Sequence, residues 1–94
     1  MAKKLSFIGD TDRCFICKTN YNLEKHHIMN GPFKKASEKY GLLIKVCPNC
    51  HTMAANSIHR DSLLRKRLKQ VGQEYFEQSH SREEFIKIFD KNYL

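Results

Sequence analysis

The chain has 94 residues, enough for one domain and too few for a second independent core. Its 17 Lys and Arg outnumber 10 Asp and Glu, giving +7 before five histidines are counted, and at 40% hydrophobic it is ordinary for a globular protein rather than a disordered one. No apolar run reaches the ~20 residues of a membrane helix, and Leu5, Phe7 and Ile8 behind Lys3 and Lys4 are too few for a secretory segment, so the expected setting is the cytoplasm with reduced thiols.

Residues 1–13 read as an irregular arm with a turn at Gly9 and Asp10, and Cys14 to Asn20 as a tight knuckle. Asn22 to Ile28 is expected to form a short strand, broken by Asn30-Gly31-Pro32. Residues 33–40 read as a helical turn or a loop ending at Gly41. Leu42-Leu43-Ile44-Lys45-Val46 is an apolar run expected to be a second strand leading into Cys47. From residue 61 the pattern becomes helical: Leu64, Leu68, Val71 and Tyr75 recur on one face, and Asp61 or Ser62 is placed to cap it. Ser81-Arg82-Glu83-Glu84 fits a capping box ahead of Phe85, Ile86 and Phe89 in a last short helix. The expected class is a small α+β fold in a single domain, 1–94, with an arm (1–13), a core (14–60) and C-terminal helices (61–94).

The positive charge is concentrated. Nine basic residues and only Glu38 and Asp61 fall between 34 and 69. Such a surface attracts polyanions, nucleic acids first among them. A solvated helix face over Arg65 to Lys69 would account for it as well.

A domain of this size buries only about two-thirds of its unfolded surface, so an added staple is expected. Cys14-x-x-Cys17 and Cys47-x-x-Cys50 supply one. Two thiolates three apart converge on one ion, and two such turns complete a tetrahedral site suited to zinc. The thioredoxin-like βαβ pattern required by the redox reading of CxxC is absent. A site closed by four cysteines has no open position, so its role is structural.

His26, His27, His51 and His59 lie close to these knuckles. Adjacent residues on a strand face opposite ways, so His26 and His27 are suited to different tasks, one holding a metal and one moving a proton near neutral pH. His59 is eight residues beyond His51, about 12 Å along an unbroken helix. If both bind one ion, the chain must bend between Met53 and Ser57. Asn56 is the fallback ligand.

Glu24-Lys25-His26-His27-Ile28 followed by Val46-Cys47-Pro48-Asn49-Cys50-His51 resembles the HNH endonucleases. Their ββα-metal (His-Me finger) core often sits beside a four-cysteine zinc. The resemblance spans roughly residues 14–60. The stretch from Ser37 to Leu42 and the tail from Gln73 look like small phage-encoded members related to a recombination-enhancement nuclease that works with RecA. It implies a metal-dependent DNA endonuclease acting in phage recombination, processing or packaging. His27 would be the general base, His26 and His51 ligands of one catalytic divalent metal with His59 as the further one, and Cys14, Cys17, Cys47 and Cys50 the structural Zn²⁺ site. Glu24, two residues before His26, would orient that ligand from behind. Lys34, Lys35, Lys39 and Arg60 would grip DNA phosphates. A recombinase such as RecA is the implied partner, and a homodimer would allow both strands to be cut.

Two departures stand out. The Asn that fixes the base in the family should fall near Leu42, where this chain has Gly41-Leu42, and the usual further ligand position is Ala55. The expected chemistry is metal-assisted phosphodiester hydrolysis leaving 5′-phosphate and 3′-hydroxyl ends. Three imidazoles suit Zn, Ni, Co or Mn better than Mg, although many family members use Mg. The alternative is a zinc-stabilised DNA-binding or adaptor module without catalysis. A further reading makes the helical region from Tyr75 to Phe89 a surface for a protein partner.

Overall fold

A computed structural model describes residues 5–94, so Lys3 and Lys4 lie outside the described residues. Strands β1 (Glu24–His27) and β2 (Leu43–Val46) pair antiparallel, with His26 opposite Ile44 and His27 opposite Leu43. β1 starts at Glu24 rather than Asn22 because Asn22 has φ 48°, a left-handed turn conformation no strand contains. β2 is the buried strand: Leu43, Ile44 and Val46 are inaccessible to solvent. The arm packs beside it, Ile8 N–H donating to Leu43 O and Phe15 N–H to Lys45 O, each at 2.7 Å.

Between the strands, a 3₁₀ turn (Gly31–Phe33) feeds helix α1 (Lys34–Tyr40). Gly41 ends α1 in the left-handed conformation (φ 73°) that glycine adopts without strain, and its N–H donates to Ser37 O. The buried Ser37 hydroxyl clamps α1 to the end of β1: it donates to Met29 O at 2.6 Å and accepts from Met29 N–H at 3.1 Å. After β2 the chain makes a single π turn (Asn49–Met53) and an irregular return to Asp61.

Asp61 caps helix α2 (Ser62–Phe76), its Oδ1 accepting from Leu63 and Leu64 N–H at 3.0 and 3.2 Å. The buried stripe of α2 is Leu68, Gly72, Gln73 and Phe76, whereas Leu64, Val71 and Tyr75 of the expected face are half-buried. Two residues shift it. Gly72 admits Ile28, whose Cγ2 would lie 3.0 Å from an added Cβ, and Gln73 is drawn inward to hydrogen-bond the tail.

Ser81 caps α3 (Arg82–Phe89), its Oγ accepting Glu84 N–H at 3.1 Å. Phe85 and Phe89 point into the core and Ile86 outward, as one residue turns a helix about 100°. Phe76, Phe85 and Phe89 join Ile28, Leu42, Ile44, Val46, Ile58 and Leu68 in one cluster. The aromatic stretch read as a partner surface is therefore largely spent on packing. The result is a small, compact α+β structure, with a Cα radius of gyration of 13.1 Å. Among the described residues no helix is long and apolar enough to cross a membrane.

Candidate metal centre

Two groups of ligating side chains share the π turn that follows β2, which supplies Cys50 to one and His51 to the other. In the first, the sulfurs of Cys14, Cys17, Cys47 and Cys50 all lie within 4.8 Å of one another, and the thiols are free. Cys17 Sγ and Cys47 Sγ are 3.6 Å apart, close to the about 3.8 Å edge of a tetrahedron with zinc–sulfur bonds of about 2.3 Å. Backbone N–H groups of Ile16 and Cys17 point at Cys14 Sγ, and that of Cys50 at Cys47 Sγ. Such contacts stabilise thiolates.

Burial pushes the Cys50 thiol up, as do the sulfurs of Cys17, Cys47 and Cys14 around it. At Cys14 burial acts in the same direction but is outweighed by backbone hydrogen bonds at Cys17, Cys47 and Ile16, which bring it down to about 6. Sulfurs this crowded resist ionising together. A dication removes that conflict, so the donor set fits zinc.

In the second group, ligand nitrogens of His26, His51 and His59 lie within 4.8 Å of one another. β1 supplies His26 and the π turn supplies His51. The chain then leaves helical geometry at Ala54 (ψ 154°) and turns back, so that Ile58 N–H reaches Cys50 O at 2.8 Å and His59 N–H reaches His51 O at 3.2 Å. That return brings His59 Nε2 to 3.0 Å from His51 Nε2. Asn56 is exposed and lines no part of the histidine cavity.

Glu24 Oε1 lies 2.9 Å from His51 Nδ1, so the carboxylate that the sequence places behind His26 supports His51 instead. A carboxylate only accepts, which puts the His51 proton on Nδ1 and a lone pair on Nε2. Burial, then the charges of His51, His59, His27 and Lys69, lowers His26 to about 4, keeping its imidazole neutral. Three imidazoles at this spacing fit one divalent ion with positions left over for oxygen ligands.

His26 and His27 both line a cavity of about 190 Å³, shared with His51, His59, Lys25, Asn30 and Lys34. Strand alternation had set the two histidines on opposite faces. His27 stands at the strand's last position, its Nε2 turned to Glu38 Oε2 at 2.9 Å. Glu38 is absent from the sequence-derived site. It carries no motif, and it arrives because the Ser37 clamp docks α1 on β1. Asn30 and Lys25 were also read only as turn and strand residues.

Of the expected phosphate contacts, Lys34 lines the cavity. Lys35 is exposed elsewhere on α1. Lys39 lies over the Tyr40 ring, 5.4 Å from its centroid, beside a different cavity. Arg60 Nε donates to Thr52 O at 3.1 Å, bracing the return segment.

Comparisons with models of protein families, with curated proteins and with solved structures give no match to this chain.

Proposed function

We propose that the protein is a metal-dependent DNA endonuclease of the HNH type, its β1–β2 hairpin and π turn serving as a ββα-metal core beside a structural zinc. The observation that carries this reading is the meeting of one set of three ligand imidazoles and a fourth, carboxylate-paired histidine in one small cavity. A binding module has no need for that combination. The π turn stands where a regular helix is expected, and Glu38 takes over the positioning that the missing Asn performs in the family.

Glu38 accepts the His27 Nε2 proton, which leaves the Nδ1 lone pair to take a proton from an attacking water. As the water oxygen bonds to phosphorus, the bond to the 3′ oxygen breaks and that oxygen takes a proton from solvent, leaving 5′-phosphate and 3′-hydroxyl ends. Lys34 at the cavity wall offers charge to a non-bridging oxygen. A divalent cation held by His26, His51 and His59 would supply Lewis-acid stabilisation of phosphate and leaving oxygen. A phage-encoded role in recombination, processing or packaging, with a recombinase such as RecA presenting the DNA and two copies cutting both strands, belongs to the same proposal.

The test is nicking of supercoiled plasmid with Mg, Mn, Ni and Zn each supplied, beside His27→Ala with its zinc content verified. Metal-dependent nicking is expected to fall about 10²- to 10⁴-fold in the variant. Equal cutting by the variant removes His27 from the mechanism. Tight DNA binding with no cutting under any metal, with or without RecA-coated DNA, would identify a zinc-stabilised binding module.

A further inference from the structure

A second cavity, of about 440 Å³, opens between the first half of α2 and the C-terminal tail. Arg65, Lys66, Lys69 and Lys91 line it with Tyr93, and no Asp or Glu side chain does. Among the described residues none of these four cations has an ion-pair partner within 4.0 Å. Lys69 and Lys91 both bring their ammonium groups to the Tyr93 ring, 5.5 and 5.3 Å from its centroid. Burial, followed by the charges of Arg65 and Lys91, lowers the Lys69 pKa. Like charges are thus held together with no Asp or Glu side chain in the lining to relieve them.

The wall is built rather than incidental. Gln73, fully buried, accepts Tyr93 N–H at 2.7 Å and donates to Asn92 Oδ1 at 2.8 Å, while Gln70 donates to Tyr93 O at 2.9 Å. Arg65 Nη1 is fixed to the carbonyl of Ile58, the residue before His59, at 3.0 Å. Arg65 thereby ties this cavity to the return segment that carries His59, one residue beyond its hydrogen-bond partner.

We propose that the cavity binds a backbone phosphate of the DNA strand whose neighbouring linkage occupies the histidine cavity, with Arg65, Lys69 and Lys91 as its grips. The inference rests on the nuclease reading for the identity of the polyanion. A compact anion with several acceptor oxygens satisfies cations that the chain itself leaves unpaired, and Tyr93 adds an aromatic face for the adjoining nucleotide.

The experiment is the salt dependence of binding to a fluorescent duplex of about 20 base pairs, measured by anisotropy with no divalent metal beyond the structural zinc. Lys69→Gln/Lys91→Gln is compared with Lys18→Gln/Lys87→Gln, which removes the same charge from exposed positions elsewhere. The first variant is expected to lower the log K against log salt slope by about one to two units, and the affinity at 0.1 M salt about 10- to 60-fold. The second should stay near wild type. Lys91→Gln alone, at an exposed position, carries about half the slope change if the half-buried Lys69 is needed for folding. Equal slopes in the two double variants overturn the proposal. So does a result in which inorganic phosphate raises the melting temperature of wild type but not of the first variant while DNA slopes are equal, which marks a free-anion site. Because binding is read without cutting, a protein that nicks plasmid but shows equal slopes loses this cavity and keeps its nuclease assignment. One that binds through the cavity but never nicks does the reverse.

Discussion

Cys17 offers the sharpest test of the zinc knuckle because its thiol is exposed. Without a metal, exchanging that sulfur for a hydroxyl uncovers almost no buried surface, and a surface change of this kind stays within about 0.5 kcal/mol. With a metal the same exchange removes one of four ligands. Structural zinc contributes about 10–16 kcal/mol of binding in small zinc domains, against a total stability of about 5–14 kcal/mol for 94 residues. Losing even a quarter of the lower figure, about 2.5 kcal/mol, lowers the melting temperature by about 10–20 °C in a domain of this size. The structure explains the reach of the effect: Cys14 and Cys47 are 0% and 4% exposed and belong to the core cluster. Thermal melts by circular dichroism, with metal content measured on the same samples, should show zinc-loaded wild type far above Cys17→Ser, and both falling to one value in chelator. Melting of Cys17→Ser within about 2 °C of the zinc-loaded wild type would refute the reasoning.

Glu38→Gln keeps the size of the side chain but can present an N–H to His27, disturbing the tautomer; plasmid nicking should lose on the order of 10²-fold or more in kcat with KM little changed, and unchanged kcat would remove Glu38 from the site. Ser37→Ala leaves buried Met29 N–H and C=O without their partner and should cost about 1–3 kcal/mol, read as a melting temperature lower by roughly 5–20 °C; a variant as stable as wild type would show that the clamp is dispensable. His26 titrates near 4 in the fold against 6.5 outside it, so below 6.5 the unfolded chain binds more protons and stability falls with pH. With only the structural zinc bound, that amounts to about 2 kcal/mol lost between pH 7 and pH 5 in urea titrations, a slope that His26→Asn should flatten; parallel profiles for the two proteins would contradict the burial of a neutral imidazole.

The sequence exposes what is local and conceals what depends on docking. CxxC spacing, the Asp61 and Ser81 caps and the Gly41 stop are each fixed within a few residues, and they stand in the structure where the pattern puts them. The buried face of α2 was harder to read because Gly72 and Gln73 look like surface or weak-helix residues. They are buried for what they meet, Ile28 in one case and the tail backbone in the other. Glu38 was invisible for the same reason. Its pairing with His27 spans 11 residues and depends on Ser37 reaching Met29 across a turn. Glu24 shows the limit of strand alternation: its face was legible, but a 27-residue closure brings His51 to it.

The two ligand clusters are mechanically one unit. Cys50 and His51 are consecutive, His51 N–H is held by Cys47 O at 2.9 Å, and Cys50 O and His51 O receive the N–H groups of Ile58 and His59. Two of the three imidazoles thus hang on backbone whose origin is the cysteine knuckle. From Asn49 to Arg60 that backbone has one π turn, and Ser57 and Ile58 are its buried residues. Ordering such a stretch costs about 1–2 kcal/mol per residue in backbone entropy, and the little apolar surface it buries does not offset this. A dication held by the four thiolates at its root would offset it without occupying the cavity. A domain of 94 residues can then hold a histidine site on a loop with the precision usually found on helices and strands.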